Sequence, residues 1–339
     1  MPAVIDGLVS TIIPVYNRPG MLVEAVESVL AQTYRPIEII ISDDGSTDDA
    51  GRVADHLSAE HPDVIRVVHR PNQGPGPARE AGRSLARGEF IQYLDSDDRL
   101  LPRKFEWQVE ALRSRPDCGA AYGFVQRYGA TESNRVPLKW SGRELQTLFP
   151  LLLVDRWWNT DCPLFRRSVC DAVGPWSDLR YSQDWEYDGR IGALGTRLVH
   201  VKEFVCEYRQ HAGERQTGTG NWLAPPDRVR FFSLLLQYAR KAGVDPRGRE
   251  MRHFSRWVFL NARQCGEEGD ADASRACLDL AAEVAGGAMG DLRLYRAVAM
   301  TLGWVTAARL TSWMILHTGR RPGTDTLALS PASEGSSHA

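Results

Sequence analysis

The chain has 339 residues, 43% hydrophobic and 25% charged, and 41 Lys and Arg against 43 Asp and Glu give a formal net charge of −2. Such a balance supports one large folded domain or two modest ones, and it excludes both a disordered chain and wholesale attraction to nucleic acid. Six cysteines form no C-x-x-C pair and match no zinc-knuckle spacing, so they are expected to be reduced, mostly buried thiols of a cytoplasmic protein. The N-terminus has no basic patch followed by an apolar run, and the stretch nearest to a membrane span, residues 297–316, is interrupted by Arg309. Neither a signal peptide nor a spanning helix is expected.

Residues 8–125 alternate between strand and helix patterns. An apolar β run covers 8–15 and ends at Pro14-Val15-Tyr16-Asn17. Residues 21–31 then carry Leu22, Val26, Val29 and Leu30 at helical spacing. A second strand over 37–41 is closed by Ser42-Asp43-Asp44-Gly45-Ser46, and a helix over about 49–61 follows, with Thr47 or Asp48 as its cap. Residues 64–69 form a third strand. A Gly/Pro loop at 72–77 precedes a helix from Ala78, and residues 90–94 make a fourth strand. This rhythm predicts an α/β fold, a mostly parallel sheet with helices on both faces.

The fourth strand runs into Asp95-Ser96-Asp97-Asp98. Ligands of open α/β sheets bind at the C-terminal strand edge, and clustered carboxylates there call for a cation. In an extended segment Asp95 and Asp97 face the same way, and hard oxygen ligands suit Mg²⁺ or Mn²⁺. The bland alternative is an exposed acidic turn capping a helix that starts near Pro102. A calcium loop fails, because Arg99 and Leu100 occupy positions that need an oxygen ligand and a glycine.

The middle region, 126–215, is less regular and holds Trp140, Trp157, Trp158, Trp176 and Trp185, which can line a cleft or fill a core. Residues 226–318 read as helical, with segments at 231–242, 251–265, 271–285 and 291–317. Residues 319–339 are small, polar and proline-containing, and are expected to be a disordered tail. The expected organisation is a domain over 1–215, with halves 1–125 and 126–215, and a helical region over 216–318.

Four motifs stand in order: IIPVYNRPGMLVEAVESVLAQTY, DDGSTDD, NQGPGPARE and YLDSDD. Together they resemble the nucleotide-sugar half of family 2 glycosyltransferases, inverting enzymes with the A-type nucleotide-sugar fold. The stretch PLFRRSVCDAVGPWSDLRYSQDWEYDGRI resembles the acceptor half, and YRQHAG resembles the loop that often closes the site. The resemblance spans residues 8–212.

Each motif also has chemistry of its own. Asp43 and Asp44 end a strand, where a carboxylate can accept the N3–H of uracil or can serve a turn and helix cap. The resemblance implies that Pro14, Tyr16 and Asn17 border the same base. Arg79 opens a helix behind a glycine loop, a position that favours anions, and the resemblance puts it near the nucleotide. Pairing with Glu80 or Asp55 is the structural alternative. Asp95 and Ser96 join the expected nucleotide contacts. Asp97, Asp95 and His211 are the expected metal ligands, the histidine by resemblance alone. Asp184 is the implied general base, ionised at neutral pH. The family usually has Glu-Asp there, whereas this chain has Gln183-Asp184. A helix cap before Trp185 is the alternative role for Asp184.

The resemblance implies inverting transfer of a sugar from a UDP or dTDP donor to a carbohydrate or lipid-linked acceptor, in polysaccharide, cell-envelope or glycoconjugate synthesis. A non-catalytic nucleotide-sugar-binding or scaffold protein of the same fold is the alternative. A nucleotidyltransferase would need a basic Gly-rich loop where this chain has PVYNRPG. A processive synthase would need membrane helices and a Q-x-x-R-W motif, which residues 253–257 only approach. Tryptophans and arginines over 291–321 suit weak peripheral contact with the inner face of an anionic membrane, or packing into a homo-oligomer.

Overall fold

Apolar runs without alternation form strands covered on both faces, and this chain opens with two of them. Strand β1 (Ile5–Val15) is buried from Gly7 onward, and all seven residues of β2 (Ile37–Asp43) are buried. The computed structural model describes residues 3–138, 141–209, 224–286 and 290–318. Within these, β3 (Ile65–His69), β4 (Gly88–Tyr93), β5 (Arg99–Leu100), β6 (Ala120–Arg127), β7 (Leu164–Arg166) and β8 (Leu198–Tyr208) complete one eight-stranded sheet in the order β3-β2-β1-β4-β7-β6-β8-β5. Strands β3, β2, β1 and β4 are parallel neighbours, as are β6 and β8. The pairings of β7 with β4 and β6, and of β5 with β8, are antiparallel.

The helices are α1 (Pro19–Leu30), α2 (Ala50–Glu60), α3 (Pro75–Leu85), α4 (Lys104–Ser114), α5 (Arg167–Val173) and α6 (Gln183–Ala193). Helix α3 starts three residues earlier than the pattern from Ala78 suggests. Pro75 supplies a preset φ at the first helical position, and Gly74 turns the chain into it at φ 95°. Gly76 then allows a close approach: a Cβ there would lie 2.1 Å from the Ser177 carbonyl oxygen. The less regular middle region thus adds two strands, β7 and β8, to the same sheet. Three of its tryptophans are core, since Trp157, Trp158 and Trp176 are buried, whereas Trp185 is half-buried. Trp140 lies outside the described residues.

The chain divides into two compact units, Met1–Leu223 and Ala224–Ala339. The second consists of α7 (Pro225–Lys241), α8 (Arg249–Glu267), α9 (Ala271–Val284), α10 (Gly290–Leu302) and α11 (Trp304–Thr318). Phe231, Phe232, Phe254 and Trp257 make an edge-to-face cluster inside it. The single helix expected over 291–317 is two, because Gly303 adopts φ 85° and breaks the helix there. No helix among the described residues is long and apolar enough to cross a membrane. All six cysteines are free and buried. The tail at 319–339 lies outside the described residues.

Candidate active site

Parallel strands deliver their C-terminal ends to one edge. Val15 pairs with Asp43 and Ile12 with Tyr93, so the chains leaving β1, β2 and β4 emerge side by side. Asn17 sits at φ 52°, a left-handed conformation that asparagine tolerates. Its Oδ1 accepts from the Thr47 amide at 2.7 Å, which ties the two rims together. Pro14 lies opposite Ser42, and Tyr16 is exposed at 44%.

Asp43 and Asp44 diverge in environment. Asp43 accepts from the Ser46 amide at 3.0 Å and meets His69 Nδ1 at 3.0 Å. Burial alone would raise its pKa, but the Ser46 and His69 bonds prevail and hold it below the usual range. His69 is raised in turn by Asp43 and Asp55. Asp44 receives the amides of Gln73 at 3.1 Å and Gly74 at 2.7 Å, together with Arg70 at 3.2 Å. Its burial outweighs these and raises it. Asp43 therefore closes a turn, while Asp44 anchors the loop in front of α3. The cap expected for α2 from Thr47 or Asp48 is a local one: Asp48 Oδ1 accepts from Ala50 at 2.9 Å, and Asp49 holds the N-cap position without a side-chain bond.

The acidic run after β4 is threaded with arginines. Asp95 pairs with Arg79 at 2.5 Å, neither Glu80 nor Asp55 being its partner in that contact, and Asp97 pairs with Arg18 at 2.9 Å. Arg79 is itself buried and lies 4.7 Å from the centre of the Trp176 ring. Its Nε and Nη1 are buried without a hydrogen-bond partner among the described residues. Ser96 and Asp98 are buried inside the turn. Asp98 accepts from the Arg209 amide at 2.9 Å, and Arg209 Nε donates to the Asp97 carbonyl at 3.1 Å. Burial, followed by the charges of Asp161, Asp97 and Asp95, pushes Asp98 well above the carboxylate range.

Helix α6 brings the candidate base. Asp184 lies in its first turn, and the residue before the helix, Ser182, is at φ 57°. Asp184 Oδ1 accepts from the Trp185 amide at 2.8 Å, and its Oδ2 accepts from Arg156 Nη1 at 2.6 Å. Its side chain is 28% exposed. Gln183 is buried, with its Cγ 3.6 Å from the position a Cβ on Gly76 would take. Four contacts link α6 to the acidic run. Trp176 stacks on Tyr187 at 4.1 Å, the Tyr187 and Tyr93 hydroxyls are 3.2 Å apart, and Arg79 joins Trp176 to Asp95. His211 and the rest of the expected closing loop after Arg209 lie outside the described residues.

Sequence inspection overlooked Arg18, Arg156, Asp188 and Arg209. Arg18 was within reach, since it directly follows Val15-Tyr16-Asn17. The others meet their partners across 28 to 112 residues, except Asp188, which stands one turn beyond Asp184.

A nucleotide-sugar transferase is the class that this sheet edge and these motifs define, and comparison with known proteins narrows it. The model of the family "Glycosyl transferase family 2" matches residues 10–174. The glycosyltransferase GlyG of Streptococcus pneumoniae serotype 4 is 37% identical over 251 residues, covering 70% of this chain and 82% of that protein. An uncharacterized glycosyltransferase of Nostoc is 41% identical over 114 residues, or 34% of this chain and 35% of the relative. Staphylococcus aureus TarS 1–349, solved with UDP-GlcNAc, has a similar fold, with a TM-score of 0.68 over 93% of both chains at 15% identity. The chain belongs to glycosyl transferase family 2.

Proposed function

We propose that the chain transfers a sugar with inversion from a UDP- or dTDP-linked donor to an acceptor hydroxyl, in polysaccharide, cell-envelope or glycoconjugate synthesis. The observation that carries this reading is the chain of contacts Asp95–Arg79–Trp176–Tyr187, which ties the donor-side carboxylates to the helix bearing Asp184. Asp184 takes the proton of the acceptor hydroxyl. The acceptor oxygen forms its bond to the anomeric carbon from the face opposite the diphosphate, and the bond from that carbon to the diphosphate oxygen breaks. The leaving nucleoside diphosphate keeps the electron pair. Asp97 and Asp184 are both present, which favours catalysis over a non-catalytic binding role.

Among the described residues, no three His, Cys, Asp or Glu side chains are arranged to hold a metal. An ion of the magnesium type needs only one or two carboxylates when substrate phosphates supply further oxygens, so Asp97 and Asp95 fit that demand. Asp97 would be the chief ligand, with His211 a further candidate. Bound Mg²⁺ or Mn²⁺ would neutralise charge on the leaving diphosphate. Arg18 and Arg79 bring cationic charge to the same carboxylates.

Donor hydrolysis across a panel of nucleotide sugars tests the reading. A UDP- or dTDP-sugar is expected to be consumed fastest, and inertness towards every donor would favour a binding role. For the base pocket, Asp43→Ala is expected to weaken UDP binding by about 1–3 kcal/mol in calorimetry, the scale of a lost charged hydrogen bond. A wild-type preference for GDP or ADP would overturn the pocket assignment.

For the helical unit, we propose weak peripheral contact with anionic lipid. Leu292, Tyr295, Ala299, Ala307 and Ala308 are buried, whereas Leu310, Trp313 and Met314 form an exposed apolar group on α11 beside exposed Arg309. An amphipathic surface of this kind suits an anionic interface. The full chain is expected to float with anionic liposomes at low salt, and Trp313→Glu to reduce flotation. A full chain that stays at the bottom leaves that face to a second copy, readable by sedimentation.

A further inference from the structure

Asp184 does not face Arg156 alone. Arg156 is buried, and its Nε donates to Asp188 Oδ2 at 2.7 Å while its Nη1 holds Asp184 at 2.6 Å. Asp184 and Asp188 are four residues apart on α6, so they share a helix face. Asp188 is 3% exposed and also accepts from Trp158 Nε1 at 3.2 Å. Thr160 Oγ1 lies 3.4 Å from both Arg156 Nη atoms. The charge of Asp95, at the end of β4, also acts on Arg156.

A carboxylate paired with a single arginine is a poor base, because the guanidinium stabilises its ionised form and lowers its pKa by about one to three units. Here a second carboxylate competes for the same cation. With both acids ionised, the trio Arg156, Asp184 and Asp188 carries a net charge of −1, with Arg156 and Asp188 buried and Asp184 partly exposed. A proton arriving on Asp184 brings the trio to zero. Accordingly, a charged Asp188 favours the proton transfer that catalysis requires, and Arg156 fixes the direction from which Asp184 meets the acceptor. Burial pushes Asp188 up to about 6 against the opposing pull of Arg156.

Resting on the assignment of Asp184 as the base, we propose that Arg156 and Asp188 are positioning residues, Arg156 orienting Asp184 and Asp188 holding part of the guanidinium's charge away from it. Where Asp188 is ionised it holds part of the guanidinium's charge; once Asp188 takes up a proton, near 6, Arg156 turns fully to Asp184 and turnover falls.

The test is the pH profile of kcat in the full-length chain, with donor KM measured alongside. Wild type is expected to show an acid limb near pH 6. Asp188→Asn keeps the shape and an acceptor oxygen for Arg156 and Trp158, but not the charge. Its limb is expected to move to lower pH by roughly one unit, and its plateau kcat to fall about three- to tenfold with donor KM kept. Asp188→Glu restores the charge and is expected to restore the limb, so a loss of packing alone is told apart from a loss of charge. Arg156→Lys cannot serve both carboxylates with a planar fork and is expected to lower kcat more than it changes donor KM. An Asp188→Asn enzyme with a wild-type limb, alongside an inactive Asp184→Asn enzyme, overturns the inference and leaves the base assignment standing. Full turnover by Asp184→Asn overturns the base assignment itself.

Discussion

Asp184→Asn is expected to lose roughly 10²–10⁴-fold in turnover, the usual contribution of a general base. The substitution is nearly isosteric. Asparagine keeps one oxygen, enough to accept from Arg156 Nη1 but not also from the Trp185 amide, which the other carboxylate oxygen serves in the wild type; the aromatic contacts of Tyr187 lie further along α6 and should persist. What it removes is the capacity to take a proton. Donor binding, measured by calorimetry, is expected to stay within a few-fold of wild type, because donor recognition is assigned to the ends of β1, β2 and β4. Lost donor binding with unchanged turnover of bound donor would move Asp184 into the donor site.

Asp97→Ala is expected to abolish detectable transfer and to weaken UDP binding. Two effects oppose each other. The carboxylate assigned to the divalent ion disappears, whereas Arg18 loses its 2.9 Å carboxylate partner and gains attraction for phosphate, and the loss of the ion is expected to prevail. If binding of UDP by wild type responds to Mg²⁺ or Mn²⁺ and binding by the variant does not, the two effects are separated. Full activity of the variant in EDTA would remove the metal assignment. Asp98 is a poor substitute ligand, since it is buried and engaged with the Arg209 amide.

Much of the sheet was legible because its signals are local. The runs that became β1 to β4 are short, apolar and bounded by turn residues, and the acids that follow β2 and β4 mark the edge without any tertiary information. Boundaries shifted where a single residue decides the backbone. Pro75 starts α3 before its apolar spacing begins, and Gly303 breaks a stretch whose hydropathy is continuous. The arginines were far less legible. Arg156 reaches α6 from 28 residues earlier, and Arg209 folds back on Asp98 across 111 residues. No periodicity reports such a pairing. The role of the tryptophans was equally hidden, since Trp157 and Trp158 belong to the core although their neighbours in sequence look irregular.

The strand order carries a lesson for recombination between relatives. Strand β7 pairs with β4 through Phe90–Arg166, Ile91–Phe165 and Gln92–Leu164, while β6, earlier in the chain, lies beyond it. A chimera joined after β6 would therefore import the strand that covers β4 from a foreign parent, and a mismatch would expose an apolar edge prone to aggregation. Swaps that keep residues 164–166 native and exchange the segments between β6 and β7, or between β7 and β8, preserve that seam. Chimeric libraries of this chain are better cut by sheet neighbours than by order along the chain.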